Sequence, residues 1–441
     1  MKKFSFLLLF IALTQSSSFS QSGWIINHSD SLYNWYSCRF VNVYTGYVVG
    51  FKDDPSNFHN ERPLIFKTTN AAASWFQQLT PVSNDTIDFA SVYFTDINTG
   101  FITISSLFMY LGKILKTTNG GNNWNIIPLN DTNQYFSIFF PTQNTGFAVG
   151  GKLDPPNGFR AIKTTDNGNT WKRMNVPNLG PYLLCVHFAD VNTGYIVGNY
   201  GSIFKTTNSG NNWVLLNTNT TEGLAGVYFI NTLTGFAVGG GATAGIILRT
   251  SNGGNTWSLN QYSSCPLMRV TFTSPTVGYI AGWCHQIVKT TNGGLNWYNQ
   301  VSPSNNQLYR DVFFMSENTG YIVGQHGDVP YGLILKTTNG GEPIGIKPIS
   351  NKVPGDFKLY QNYPNPFNPA TTIEFDIPMT SLAKLIIYDL LGREVKTLVN
   401  EELKAGIYTV DFDGSDIGSG VYFYCLITNE FSETKKMILL R

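Results

Sequence analysis

The sequence predicts an all-β protein: a seven-bladed β-propeller, then a smaller β-sandwich. Three observations predict it. A Gly-aromatic element, mostly Thr-Gly-Phe or Thr-Gly-Tyr, recurs with its Gly at Gly46, Gly100, Gly146, Gly194, Gly235, Gly278 and Gly320. A basic residue opening a Lys-Thr-Thr-Asn element recurs at Lys67, Lys116, Lys163, Lys205, Arg249, Lys289 and Lys336. After Ile346 the repeat gives way to short apolar runs separated by Gly turns. The repeat period is a little over forty residues, which suits four short antiparallel strands per unit.

Composition agrees. The 441 residues are 42% hydrophobic, 14% aromatic and 13% charged, a chain that can bury sizeable cores in more than one domain. The 43 glycines, with many Asn and Thr, point to tight turns. A formal net charge of +1 gives no electrostatic reason for a nucleic-acid or anionic-membrane partner.

Residues 1–20 read as a secretory signal: Lys2 and Lys3, an apolar run Phe4 to Leu13, then small residues, with cleavage expected before Gln21. The run is too short to span a bilayer, and no later apolar segment is long enough. No Cys follows the site, which argues against a lipid anchor.

Residues 21–345 are assigned to the propeller. Each repeat gives an apolar inner strand such as 311–314, the Gly-aromatic strand, a variable loop, a third strand such as 202–207, then an Asn/Gly turn and a Trp opening the fourth strand. Six Trp follow their basic residue at the same offset: Trp75, Trp124, Trp171, Trp213, Trp257 and Trp297. In the seventh repeat Ile344 stands there. Trp24, ahead of the first repeat, is the spare. Residues 23–28 are therefore expected to supply the fourth strand of blade seven and close the ring, which removes exposed edges.

The turn 164–171 fits Ser/Thr-x-Asp-x-Gly-x-Thr-Trp around Asp166, and the other turns are variants with Asn. It resembles the Asp-box of bacterial neuraminidase-type repeats. The Asp or Asn bonds amides of its own turn, Gly takes positive φ and Trp buries between blades, so the box reads as a folding device. The Gly-rich run 238–245 has no helix behind it to aim amides at a phosphate, so it is not read as a nucleotide loop. Together, residues 23–345 resemble the photosystem II stability and assembly factor family of seven-bladed propellers. The resemblance implies the fold; it does not settle a ligand.

Binding is expected on the variable loops between strands two and three, and at the channel mouth. Repeat alignment puts Arg269 and Arg310 at the start of the inner strands of blades six and seven, and Arg39 in that of blade one. Three arginines on adjacent blades, with Asp311, Tyr36 and Tyr309 close by, suggest an anion pocket, or else a channel filled by Arg–Asp pairs. A sialidase-like reading needs three Arg, a Tyr–Glu pair and an acid, and no Glu for that pair is evident. His285 and His326 fall in equivalent loops of adjacent blades, near Cys284 and Asp328. Zinc there would need convergence that nothing in the sequence fixes, so no metal or cofactor is assigned. Of the five cysteines, Cys265 and Cys284 fall in loops on one face of blade six, and a disulfide is expected in an oxidising compartment. Cys38 and Cys185 read as buried inner-strand residues.

Residues 346–361 read as a linker, and 362–441 as an immunoglobulin-like sandwich of six or seven strands. The run Tyr363-Pro364-Asn365-Pro366, the segment 387–395 around Gly392, the segment 419–424 and the pair Lys435–Lys436 closely resemble the type A C-terminal sorting domain of the type IX secretion system. That resemblance implies handling by this secretion machinery and a place outside the cell or on its outer surface. The expected function is a non-catalytic binding or assembly module with an extracellular protein or glycan ligand. The alternative is a propeller-type glycoside hydrolase or lyase, sialidase-like, acting on extracellular glycans.

Overall fold

The computed structural model describes residues 21–53, 62–80, 88–105, 113–129, 133–151, 158–177, 180–327, 331–344, 347–350, 353–403, 405–415 and 417–440. The expected signal segment and the central parts of several variable loops, Asp328 included, lie outside them. The chain divides into two compact units, Ser22–Glu342 and a second holding Pro343–Arg441.

In the first unit, seven four-stranded antiparallel sheets follow one another as meanders. Blade one runs Tyr33–Phe40, Gly46–Lys52, Arg62–Thr68 and Phe76–Gln77 from the inside outwards. Blades two to six repeat this order. In blade seven the inner strands are Gln307–Phe314, Gly320–His326 and Tyr331–Ile344, and the fourth is Gln21–Ser31 from the start of the unit.

The repeated residues make one seam, used seven times. Each inner strand ends on a Phe. A Cβ on the repeat Gly would collide with that ring: Gly46 with Phe40, Gly146 with Phe140, Gly320 with Phe314. Only glycine allows the approach. The aromatic residue after each Gly then stacks on the terminal Phe of the next blade, as Tyr47 does on Phe94 (4.1 Å between centroids) and Tyr195 on Phe229 (3.5 Å). The seventh pair, Tyr321 on Phe40 at 3.9 Å, returns to blade one. Each repeat Trp meets the same Phe edge-on, Trp124 on Phe94 at 6.0 Å and Trp213 on Phe188 at 6.1 Å. Trp24 takes this seat on Phe314 at 5.7 Å, and its indole N–H donates to buried Gln300.

Six of the seven basic residues pin the seam by donating to a turn carbonyl of the next blade. Lys67 reaches Gly120 and Lys205 reaches Gly253, each at 2.7 Å, and Lys336 of blade seven reaches Ala71 of blade one at 3.0 Å. The turn itself is held by its Thr and its Asp or Asn. Thr164 donates to Asp166 (2.7 Å) and accepts from the Gly168 amide, and Asp166 accepts from the Thr170 amide.

The second unit has two four-stranded sheets whose inner faces share one apolar core. Ala370–Ile377 and Gly406–Asp413 give Phe375 and Val410, and Ser381–Tyr388 and Gly420–Ile427 give Leu385 and Leu426. The stretch expected to be a linker is partly strand: Lys347–Ser350 pairs with Gly406–Asp413, and Lys358–Leu359 pairs with Ala370–Ile377. Pro348 can sit there because both additions are edge strands, where a missing N–H faces no partner. With them the sandwich has eight strands, one or two more than the sequence suggests.

Candidate functional site at the propeller axis

All seven inner strands carry a bulge at the same place, four residues before the terminal Phe: the register slips between Trp35 and Ser37, Tyr135 and Ser137, Leu267 and Arg269, Tyr309 and Asp311, and likewise in the other three. A bulge puts two successive residues on one side of the sheet. The axis is therefore lined at three levels. The mouth level holds the bulged residues, among them Tyr36, Phe136, Leu184, Met268 and Arg310. The middle level holds Ser37, Ser91, Ser137, Cys185, Gly226, Arg269 and Asp311. The deep level holds Arg39, Tyr93, Phe139, His187, Tyr228, Thr271 and Phe313.

The three expected arginines fall one to each level. At about 3.3 Å per residue, two residues along the strand separate Arg39 from Arg269 by about 7 Å. Arg39 lies over the Tyr93 ring (4.5 Å) and the Phe313 ring (4.9 Å), on the two neighbouring blades. Phe139 packs on His187 at 5.0 Å and His187 on Tyr228 at 4.5 Å, so aromatic rings continue round the deep level. Burial, and secondarily the charge of Arg39 across the axis, push the His187 imidazole down to about 3. It is neutral at ordinary pH, and its Nδ1 accepts from the Phe229 amide.

Arg269 donates to the Ala225 carbonyl (2.7 Å) and lies 3.8 Å from Asp311. Asp311 also accepts from Ser37 (2.8 Å), the Cys38 amide and the Val312 amide. Burial raises its carboxyl, and Arg269 and the three donors oppose the shift. Its acceptor capacity is thus used on structure. Tyr309, expected near the pocket, stands before the bulge and turns into the blade, fully buried with its hydroxyl 2.7 Å from that of Ser302.

Arg310 differs. Its guanidinium lies 4.4 Å over the Tyr36 ring and its Nε donates weakly to Gln325 at 3.4 Å. Among the described residues, its two terminal nitrogens carry no hydrogen bond or ion pair. Cys265 and Cys284 form a disulfide with Cα atoms 6.2 Å apart, tying the loop that enters blade six to the turn holding His285. That His285 is exposed at φ 55° and its amide donates to Gln307. His326 is half-buried at the end of a strand, paired in register with Gln307. Among the described residues, no three His, Cys, Asp or Glu side chains cluster closely enough to hold a metal ion. Cys38 and Cys185 are buried free thiols.

The deep aromatic level escaped the sequence reading. Its signal is present nonetheless: aligning the seven inner strands on their terminal Phe and reading the residue before it returns the whole ring. The bulge leaves no such mark, and without it the level of each arginine cannot be assigned.

In the second unit, the motif residues divide between scaffold and surface. Asn365 accepts from the Ile438 amide (2.9 Å), and Phe367, after Pro366, is buried. Gly392 takes φ 74° in a turn where Asp389 pairs with Arg393 at 2.7 Å. Tyr363 ahead of Pro364 is 82% exposed and Leu391 77% exposed, so both are free for contact. Lys435 pairs with Glu433 (2.9 Å), and Lys436 is exposed.

Residues 361–440 match the secretion system C-terminal sorting domain, and residues 263–366 match the photosynthesis system II assembly factor YCF48. The chain thus carries a YCF48-like stretch within its propeller and a C-terminal sorting domain. Such a domain marks it for type IX secretion, to the cell surface or beyond. Similar solved structures include "YCF48 bound to D1 peptide", 17% identical with TM-score 0.55 over 72% of this chain and 97% of that one. YCF48 from Cyanidioschyzon merolae is 13% identical, TM-score 0.54, covering 71% and 98%. Virginiamycin B lyase from Staphylococcus aureus is 12% identical, TM-score 0.53, covering 71% and 99%. A binding protein and a lyase thus share this fold, and at such identities the likeness speaks for the fold alone. No curated protein matches the chain. No helix among the described residues is long and apolar enough to cross a membrane.

Proposed function

We propose that this protein is an exported, non-catalytic binding module that holds an anionic group of an extracellular protein or glycan at the mouth of its propeller. Residues 1–20 direct the first membrane crossing, and the sorting domain the second. Arg310 carries the reading. Its guanidinium is oriented by the Tyr36 ring, and its terminal nitrogens are uncommitted among the described residues. A planar fork held in place loses little freedom on meeting a carboxylate or sulfate. Against catalysis stands the state of Asp311. It is the one carboxylate at the three axial levels among the described residues, and it is already engaged by Arg269 and three donors. Glycoside hydrolysis asks for two carboxylates about 5–10 Å apart.

The test is a binding titration of the full chain with sialyllactose, polygalacturonate and an acidic peptide, beside neutral counterparts. At least one acidic probe should bind, more weakly as salt rises, and Arg310→Ala should weaken it about tenfold or more. The proposal fails if no acidic probe binds, or if Arg310→Ala binds as the parent does.

A further inference from the structure

A second site lies away from the axis. On the mouth side, the turn Asn199–Ser202 of blade four faces the loop 217–222 that leads into blade five. Between them is an open cleft of about 760 Å³. Its walls are fixed. Thr218 donates to the Gly201 carbonyl at 2.8 Å, Asn217 accepts from the Asn219 amide at 3.1 Å and Thr220 accepts from the Glu222 amide at 3.1 Å. Gly201 approaches the loop so closely that a Cβ would strike the Thr220 carbonyl.

What lines the cleft is specific. Tyr200 is 64% exposed, held at φ 55°, with Gly180 beneath one edge of its ring. Leu215 is 45% exposed beside it. The Tyr200 hydroxyl, the Asn219 amide group, the Thr221 hydroxyl and the Glu222 carboxylate make no side-chain hydrogen bond among the described residues. None of the lining residues carries positive charge.

We infer that this cleft binds a neutral hexopyranose unit of a glycan. A sugar ring has an apolar C–H face that packs on an exposed aromatic ring, whose π-face is negative. Its vicinal hydroxyls need both donors and acceptors, and a carboxylate beside amide and hydroxyl groups supplies them. The volume suits one or two sugar units. An anionic ligand would meet Glu222 with no cation to offset it, so the cleft excludes the ligands proposed for the mouth.

Saturation-transfer NMR on the full chain tests this, with methyl glucopyranoside, methyl galactopyranoside and N-acetylglucosamine as probes and sialyllactose as the anionic arm. At least one neutral sugar should show transfer. Tyr200→Ala and the isosteric Glu222→Gln should each weaken it about tenfold, and Arg310→Ala should leave it unchanged. No transfer to any neutral sugar overturns the inference. So does transfer that persists in both cleft variants, or transfer confined to sialyllactose and lost in Arg310→Ala.

Discussion

The seam between blades and the lining of the axis are built from the same strands to opposite rules. At the seam, seven copies agree on a terminal Phe, a stacked aromatic and an edge-on Trp, and six add a basic pin. One residue earlier in each strand, at the deep axial level, Arg39, Tyr93, Phe139, His187, Tyr228, Thr271 and Phe313 fill equivalent places with five residue types. Within one chain, sameness marks what every blade needs to stack. Difference marks where the ring as a whole makes something asymmetric.

The largest effect that could break this contrast is at the closing seat. Trp24 is fully buried whereas Trp75, in the matching seat on Phe40, is half-buried. Trp24→Ala should cost about 3–5 kcal/mol in denaturant unfolding, and Trp75→Ala clearly less. Equal losses would mean that closure is no more demanding than any other joint. Acid separates the two regions next. His187 has its folded value, about 3, below its unfolded value near 6.5. Its contribution is therefore intact above pH 6.5 and is lost as pH falls through that window, at about 1.4 kcal/mol per unit. Unfolding midpoints measured between pH 7 and pH 4 should fall less steeply in His187→Gln. The smallest effect is at the seam. Asp166 is held down to about 2, first by the Thr170 hydroxyl. Its contribution is present above about pH 3.8 and is lost only toward pH 2. Six turns carry Asn in this place, so Asp166→Asn should cost less than about 1 kcal/mol at pH 7 after solvent screening. The same substitution should remove that low-pH sensitivity from the melting curve.

The fold class was legible because repeats state it seven times over, and each statement has a mechanism: a Gly that a Phe ring covers, a Lys that reaches the next turn. The sorting domain was legible from ordered motifs. The site was legible only in part. Arg39, Arg269 and Arg310 could be placed on three inner strands, but side-chain period in a strand is two, and one bulged residue resets it. Hence they sit at three depths rather than round one point. The cleft at Tyr200 left no trace in the sequence, since it depends on one turn in left-handed backbone meeting the loop that leads into the next blade.

The joint at blade seven also sets a timetable. Trp24 bonds Gln300 and Ser29 accepts from Tyr331, partners 276 and 302 residues further along. The strand made first must wait, unpaired, until nearly the whole propeller sequence exists. Contacts that distant form late, because a long chain must be brought round before they repay its loss of freedom. Six blades can stack while the seventh is still missing an edge, so an unfinished ring is the species with an open strand to offer its neighbours.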